Sequence, residues 1–175
     1  MTVADLESFS SEDERYELVG GRVEVSYPQE ARHACATTRL AASLSANAPE
    51  GFEVLLAPVI ILDDAGTHCR RPDLVVVDSA TSSDPWLTCP PLLVVEVAGD
   101  ETVSRDYHTK VLEYEKFGIP AYWLVNPGLV VDELRLKSGK YQHVRQALRE
   151  NLFATDFPFP VAVVPNRLFE DGPMA

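Results

Sequence analysis

The chain has 175 residues, 46% of them hydrophobic, which is enough to bury a substantial core and predicts one domain over 1–175. No charged stretch followed by an apolar core stands at Met1, and no apolar run approaches the ~20 residues of a membrane span, so a cytoplasmic protein with no membrane partner is expected. The three cysteines, Cys35, Cys69 and Cys89, make neither a disulfide framework nor, with His68, a repeated close pair for zinc, and a net charge of −12 opposes indiscriminate attraction to nucleic acid.

Thr2-Val3-Ala4-Asp5 carries a helix-capping pattern and predicts a short helix to about residue 9. Residues 15–19 and 22–27 read as strands joined by a two-residue turn at Gly20-Gly21. Alternation sets Tyr16 and Leu18 on one face and Glu17 and Val19 on the other, where Glu17 reads as a solvated strand residue. Residues 29–48, rich in Ala and Leu, predict a helix stopped by Pro49, with His33, Thr37, Leu40 and Leu44 on one face. His33 in that setting is a core or rim histidine more often than a catalytic one. Residues 52–62 are apolar and β-branched and predict a first central strand. Asp63-Asp64-Ala65-Gly66-Thr67 is a turn whose acids lack the alternation of a calcium loop.

Residues 70–78 form a second β-rich run with Asp73 at its entrance; Asp73, Val75 and Val77 share one face, Leu74, Val76 and Asp78 the other. Residues 79–90 make a polar loop around Trp86, with cover for a site as one reading of it. The next strand, 91–98, is a continuous apolar run closed by Gly99, with Glu96 inside it. An unpaired ionised carboxylate in an apolar sheet costs several kcal/mol, so Glu96 requires a partner cation or a raised pKa. Residues 104–118 predict a helix with Tyr107, Lys110, Val111 and Tyr114 on one side, Gly118 as its stop and Pro120 beyond. Asp106, one turn before Lys110, leaves an ordinary surface pair as the alternative for that lysine.

Residues 121–125 are another strand, turned by Asn126-Pro127-Gly128, and 130–137 with 140–145 form a hairpin across Ser138-Gly139. Between 134 and 149 stand Arg135, Lys137, Lys140, Arg145 and Arg149 and no acid. Such a basic edge either faces phosphates or guards an exposed strand from self-pairing. Residues 153–164 are apolar and Pro-broken, read as irregular structure or a last strand, and the final residues read as frayed.

Asp73, Glu96 and Lys110 thus form a proposed triad: an acid opening one strand, an acid inside the next and a lysine from the following helix. Hard divalent cations bind through one or two carboxylates and keep waters and substrate phosphates as their other ligands. A lysine aimed at the same place orients water or steadies charge on a phosphate. A structural ion pair between Glu96 and Lys110 satisfies the burial argument equally well, and the residues by themselves leave both readings open.

The order Glu17-Leu18-Val19-Gly20-Gly21, His33, Arg71-Pro72-Asp73-Leu74-Val75-Val76, Val94-Val95-Glu96-Val97, Asp106 to Lys110, Tyr114, and Gly118-Ile119-Pro120-Ala121-Tyr122-Trp123-Leu124-Val125-Asn126-Pro127 resembles the Uma2 family (DUF820) of restriction-endonuclease-like proteins, within the PD-(D/E)XK nuclease superfamily. The resemblance implies an α/β (α+β) fold, a restriction-endonuclease-like mixed β-sheet flanked by helices. It implies Asp73, Glu96 and the Val97 backbone carbonyl as ligands of Mg²⁺ or Mn²⁺, with Glu17 at the same pocket. It further implies DNA as partner and a homodimer; Arg71 and, on the basic hairpin, Lys140 and Arg145 are the candidate nucleic-acid contacts. Two departures stand out: Ala98 occupies the place of the superfamily's lysine, whose role passes to Lys110, and Asn126 stands where the family often has Asp.

The leading expectation is a metal-dependent endonuclease acting on DNA phosphodiesters, with Asp73, Glu96, Lys110 and Glu17 as its catalytic set. The alternatives are a catalytically silent binding or scaffold module of the same fold, favoured by the negative net charge, and a hydrolase of a small phosphorylated molecule.

Overall fold

The continuous apolar runs in the middle of the chain become the inner strands of a large mixed sheet. The computed structural model describes residues 1–7, 15–26, 30–81, 86–99 and 106–170. In chain order they form α1 (Val3–Glu7), the hairpin β1 (Arg15–Val19) and β2 (Arg22–Ser26), α2 (Ala31–Asn47), β3 (Phe52–Leu56), β4 (Ile60–Ile61), β5 (Cys69–Arg70), β6 (Leu74–Asp78) and β7 (Leu93–Val97). A π-helical turn, Asp106–Lys110, runs into α3 (Val111–Phe117). The chain continues through β8 (Ala121–Asn126), β9 (Val130–Lys137), β10 (Lys140–Leu148), β11 (Phe153–Thr155) and β12 (Val161–Val163) to α4 (Pro165–Phe169).

Strand order in the large sheet is β10-β9-β8-β7-β6-β3. Only β7 and β8 run parallel, and the connection between them carries α3, because parallel neighbours need a crossover and a helix is the usual one. The alternation read from residues 73–78 holds, and β7 follows the same rule. Leu74, Val76, Leu93 and Val95 pack on Ala36, Leu40 and Leu44 of α2, whereas Val75 and Val94 join Tyr114, Ile119, Tyr122 and Leu124 on the face that α3 covers. A smaller sheet, β2-β1-β5-β4, packs Leu18 and Cys69 against Val3 and Leu6 of α1. The expected mixed sheet flanked by helices is present.

Local signals account for the element ends. Thr2 donates its backbone N–H to Asp5 Oδ2 at 2.8 Å, the return bond of the capping pattern, and its hydroxyl donates to the same oxygen at 3.0 Å. Gly118 closes α3 at φ 87°, a left-handed position that suits glycine.

Three expectations need correction. Residues 52–62 are not one central strand: Ala57 turns to φ 49° and Pro58 follows, so β3 stays at the edge of the large sheet on β6 while β4 passes to the smaller sheet on β5. Within the described residues the helix after Glu96 begins with a π-helical turn, Asp106–Lys110, and not with a regular α-turn; residues 104 and 105 lie outside the described ones. The end of the chain is not frayed through Glu170. Residues 153–163 form the β11–β12 hairpin, and α4 buries Leu168 and Phe169 in the main core, with Arg39 donating to the Leu168 carbonyl at 2.9 Å.

Four expected positions, residues 8 and 9 of the first helix, Tyr27 and Gln29, lie outside the described residues. In the Trp86 loop, of which 82–85 also lie outside, Leu87 exchanges backbone hydrogen bonds with Val59 and Ile61 and so is tied to β4.

Candidate functional site

Register places the two central acids. β6 and β7 pair antiparallel with Leu74 opposite Val95, so one further step sets Asp73 opposite Glu96; both are buried. Asp73 Oδ2 accepts the Val97 N–H at 2.8 Å and lies 3.1 Å from His33 Nε2. Thr37, one turn along α2, stands 3.3 Å from the other ring nitrogen of His33. Glu96 Oε1 accepts both the Lys110 ammonium and the Tyr114 hydroxyl at 2.8 Å. Those two donors are four residues apart and therefore point to one spot. Glu17 Oε1 stands 3.9 Å from Lys110 Nζ. Glu17, Asp73, Glu96 and Lys110 are thus brought together, and the surface-pair reading of Lys110 fails because the lysine is buried.

Glu17 is buried as well, which corrects its reading as a solvated residue. The cause is the pairing of β1 with β5, which puts Arg70 beside it. Arg70, 1% exposed, donates to Glu17 at 2.9 Å and to Glu24 at 3.1 Å, and forks onto both oxygens of Glu113 at 2.7 and 2.8 Å. Burial works against the Arg70 charge, but Glu113 and Glu17 outweigh it and hold its pKa above the usual guanidinium value. His68 Nε2 lies 3.1 Å from Glu113 without the angle of a hydrogen bond.

Sequence reasoning passed over Arg70, Glu24 and Glu113, and it placed Tyr114 on the inner face without a role. The available signal was Arg70 itself, a charged residue leading a run with Leu74-Val75-Val76-Val77 at its centre. His33, read as a core or rim histidine, stands at the site through its contact with Asp73.

Among the described residues four carboxylates, Glu17, Asp73, Glu96 and Glu113, are buried or nearly buried in the region of Lys110 and Arg70. Hard oxygen donors on two neighbouring strands, Asp73 and Glu96, fit a divalent cation. Among the described residues no group of three His, Cys, Asp or Glu side chains stands close enough to hold a metal by itself. Asp73 and Glu96 would then need water and phosphate oxygens to complete the sphere, the arrangement Mg²⁺ favours. Val97 enters the site through its N–H on Asp73. Of the expected nucleic-acid contacts, Arg71 donates from Nε to the Ala57 carbonyl, Lys140 pairs with Glu115 at 2.7 Å, and Arg145 lies 3.6 Å from Glu133.

Tyr114 supplies a pH test of this burial. Enclosure first, and the neighbouring Glu96 charge second, raise its pKa well above the ordinary 10.0. Above about pH 10 the unfolded chain ionises this tyrosine while the folded chain keeps the proton, so its contribution is complete below that pH and declines above it by roughly 1.4 kcal/mol per pH unit. Urea unfolding at about pH 9 to 11 is expected to show a shallower alkaline decline for Tyr114→Phe than for the wild type; parallel profiles would rule out the buried phenol as a cause.

The fold defines a class before any family does. A solved structure described as "a putative nuclease belonging to DUF820 from Anabaena variabilis ATCC 29413" superimposes at a TM-score of 0.76, covering 97% of each chain at 14% identity. The two chains therefore share one mixed-sheet fold. The family model Uma2, described as "Putative restriction endonuclease", matches residues 3–162, and the chain belongs to that family. No curated protein matches it.

Proposed function

We propose that this chain is a divalent-metal-dependent endonuclease of the cytoplasm that hydrolyses DNA phosphodiester bonds and works as a homodimer. The observation that carries the reading is the cross-strand pair Asp73 and Glu96, both buried, with Lys110 on Glu96 and Glu17 beside it. Asp73 and Glu96, with the Val97 carbonyl, would hold Mg²⁺ or Mn²⁺, which when bound supplies Lewis-acid stabilisation of phosphate charge and an activated water.

The chain's own residues do the rest. Lys110, steered by Glu96 and Glu17, places a positive charge where the phosphoryl oxygens gain negative charge. His33 fixes the orientation of Asp73 and is itself steadied by Thr37. Tyr114 holds Glu96 against rotation. Arg71, Lys140 and Arg145 are the contacts proposed for the DNA backbone.

The test pairs calorimetry of Mg²⁺ and Mn²⁺ binding with plasmid nicking in Mn²⁺, on the wild type, Glu96→Gln and Lys110→Ala. Metal binding is expected in the wild type and absent in Glu96→Gln, with nicking lost at least about 100-fold in both variants, the size typical of a lost electrostatic group. A wild type that binds neither cation sinks the reading. One observation favours a silent scaffold module instead: Glu96 Oε1 already has two donors in Lys110 and Tyr114. Under that second reading Glu96→Gln leaves function intact.

A further inference from the structure

Away from Glu96, a second set of polar side chains converges on a buried carboxylate. Asp132 on β9 is 3% exposed. Its Oδ1 accepts from Gln146 Nε2 at 2.7 Å and lies 2.8 Å from His143 Nε2, and the Tyr107 hydroxyl donates to its Oδ2. His143 and Gln146 are three residues apart on β10, and a regular strand would turn them to opposite faces. A register shift between His143 and Arg145 turns both to the same face, the re-aiming that a β-bulge performs. In front of them an open cavity of about 450 Å³ lies between Tyr107 and Val111 on the helical side and Leu124, Leu134 and Tyr141 on the sheet.

This cavity shares a row with the Glu96 site. In register, Glu96 stands beside Leu124, Leu124 beside Asp132, and Asp132 beside Gln146. Two strand spacings, about 10 Å, separate Asp132 from Glu96. The helical segment that brings Lys110 to Glu96 also brings Tyr107 to Asp132.

The geometry points to this cavity as a subsite for one unstacked nucleobase that carries an exocyclic amine, held beside the Glu96 site. The choice of a nucleobase rests on the nuclease reading; the shape and polarity stand apart from it. Tyr107 and Tyr141 put aromatic side chains in its wall, the residue type on which bases stack, and Val111, Leu124 and Leu134 add apolar surface. A carboxylate has about four acceptor positions, three of which Asp132 uses, so one remains for an amine, the pairing by which acidic side chains read cytosine.

Uracil presents a carbonyl where cytosine has the amine, and its ring N–H is flanked by two carbonyls that repel a carboxylate. The other acid at the cavity, Glu115, pairs with the exposed Lys140 at 2.7 Å, which leaves Asp132 to select the base.

Short oligodeoxynucleotides of cytosine and of uracil, and deoxycytidine itself, are titrated in EDTA, the oligomers by fluorescence anisotropy and the nucleoside by calorimetry. The cytosine oligomer is expected to bind about tenfold more tightly than the uracil oligomer, the value of one good base contact. Asp132→Asn should erase that preference. Val111→Phe, which fills the cavity and leaves Asp132 in place, should bring cytosine binding down to the uracil level. Equal binding of the two oligomers by the wild type overturns the subsite, as does a preference that survives both substitutions. Binding of deoxycytidine with no preference between oligomers overturns its place in strand recognition and assigns the cavity to a free nucleoside. No hydrolysis is read, so a wild type that prefers cytosine but never nicks a plasmid keeps the subsite and sinks the nuclease reading, whereas one that nicks and binds both oligomers equally does the reverse.

Discussion

Replacing Lys110 by Met is expected to lower the unfolding free energy by about 3–5 kcal/mol, because it leaves Glu96 buried in an apolar sheet without its cation. The Tyr114 hydroxyl still reaches Glu96, but a neutral donor offsets only part of the desolvation of a full charge. Adding Glu96→Gln should recover most of the loss, since the double variant leaves neither of the two positions charged. Such recovery is the mark of a coupled pair, whereas independent sites would simply add their costs.

The same variants separate stability from chemistry. Under the proposed function the double variant regains its unfolding midpoint but neither binds Mn²⁺ nor nicks a plasmid. Chemical denaturation with nicking measured on the same preparations is the check. A Lys110→Met protein within about 1 kcal/mol of wild type would mean that Glu96 is protonated or otherwise compensated, and the electrostatic account of the site would fall.

Arg70→Lys is expected to be nearly as damaging, although it preserves charge. The guanidinium forks onto Glu113 and reaches Glu17 and Glu24 at once, a geometry that one ammonium cannot copy. An ammonium in its place reaches only some of these oxygens, and the other buried carboxylates face one another without a donor. A loss of about 3 kcal/mol or more is expected, which in a chain of this size moves the thermal midpoint down by roughly 6–12 °C. Thermal melting followed by circular dichroism measures it. Glu113→Gln in the Arg70→Lys background should restore part of the loss by removing one of the stranded charges; no restoration would show that the cost comes from lost packing and not from charge.

Much of the site was legible before any fold was known. Glu96 inside Leu92-Leu93-Val94-Val95 announced a buried charge, and Asp73 at the mouth of the neighbouring β-run supplied its companion. Lys110 and Tyr114, four apart on a helix that follows, were set on the same inward face, which is where they meet Glu96. Each of these is a local pattern of polarity and period, and such patterns survive in the sequence because every residue carries its own share of them.

The partners were less legible, because they come from strands and helices that the sequence keeps far apart. Glu17 alternates on its strand as a surface residue would, and only the meeting of β1 with β5, some fifty residues on, buries it against Arg70. His33 reads as an ordinary helix residue until α2 is laid on the sheet and its ring reaches Asp73, forty residues away. The run 52–62 looks like one strand until Ala57 takes a left-handed turn that divides it between two sheets.

The sequence by itself determined the strands of the inner sheet, the faces they present, the two central acids and the helix that brings the lysine. The tertiary structure alone decided which charges neutralise which, that Glu17 is buried, that Arg70 is the hub of three glutamates, and that one bulge in β10 turns His143 and Gln146 onto Asp132. The physical reason is that period and polarity are properties of neighbouring residues. The partner of a buried charge depends on which distant segments come within a few ångströms of it once the chain has folded.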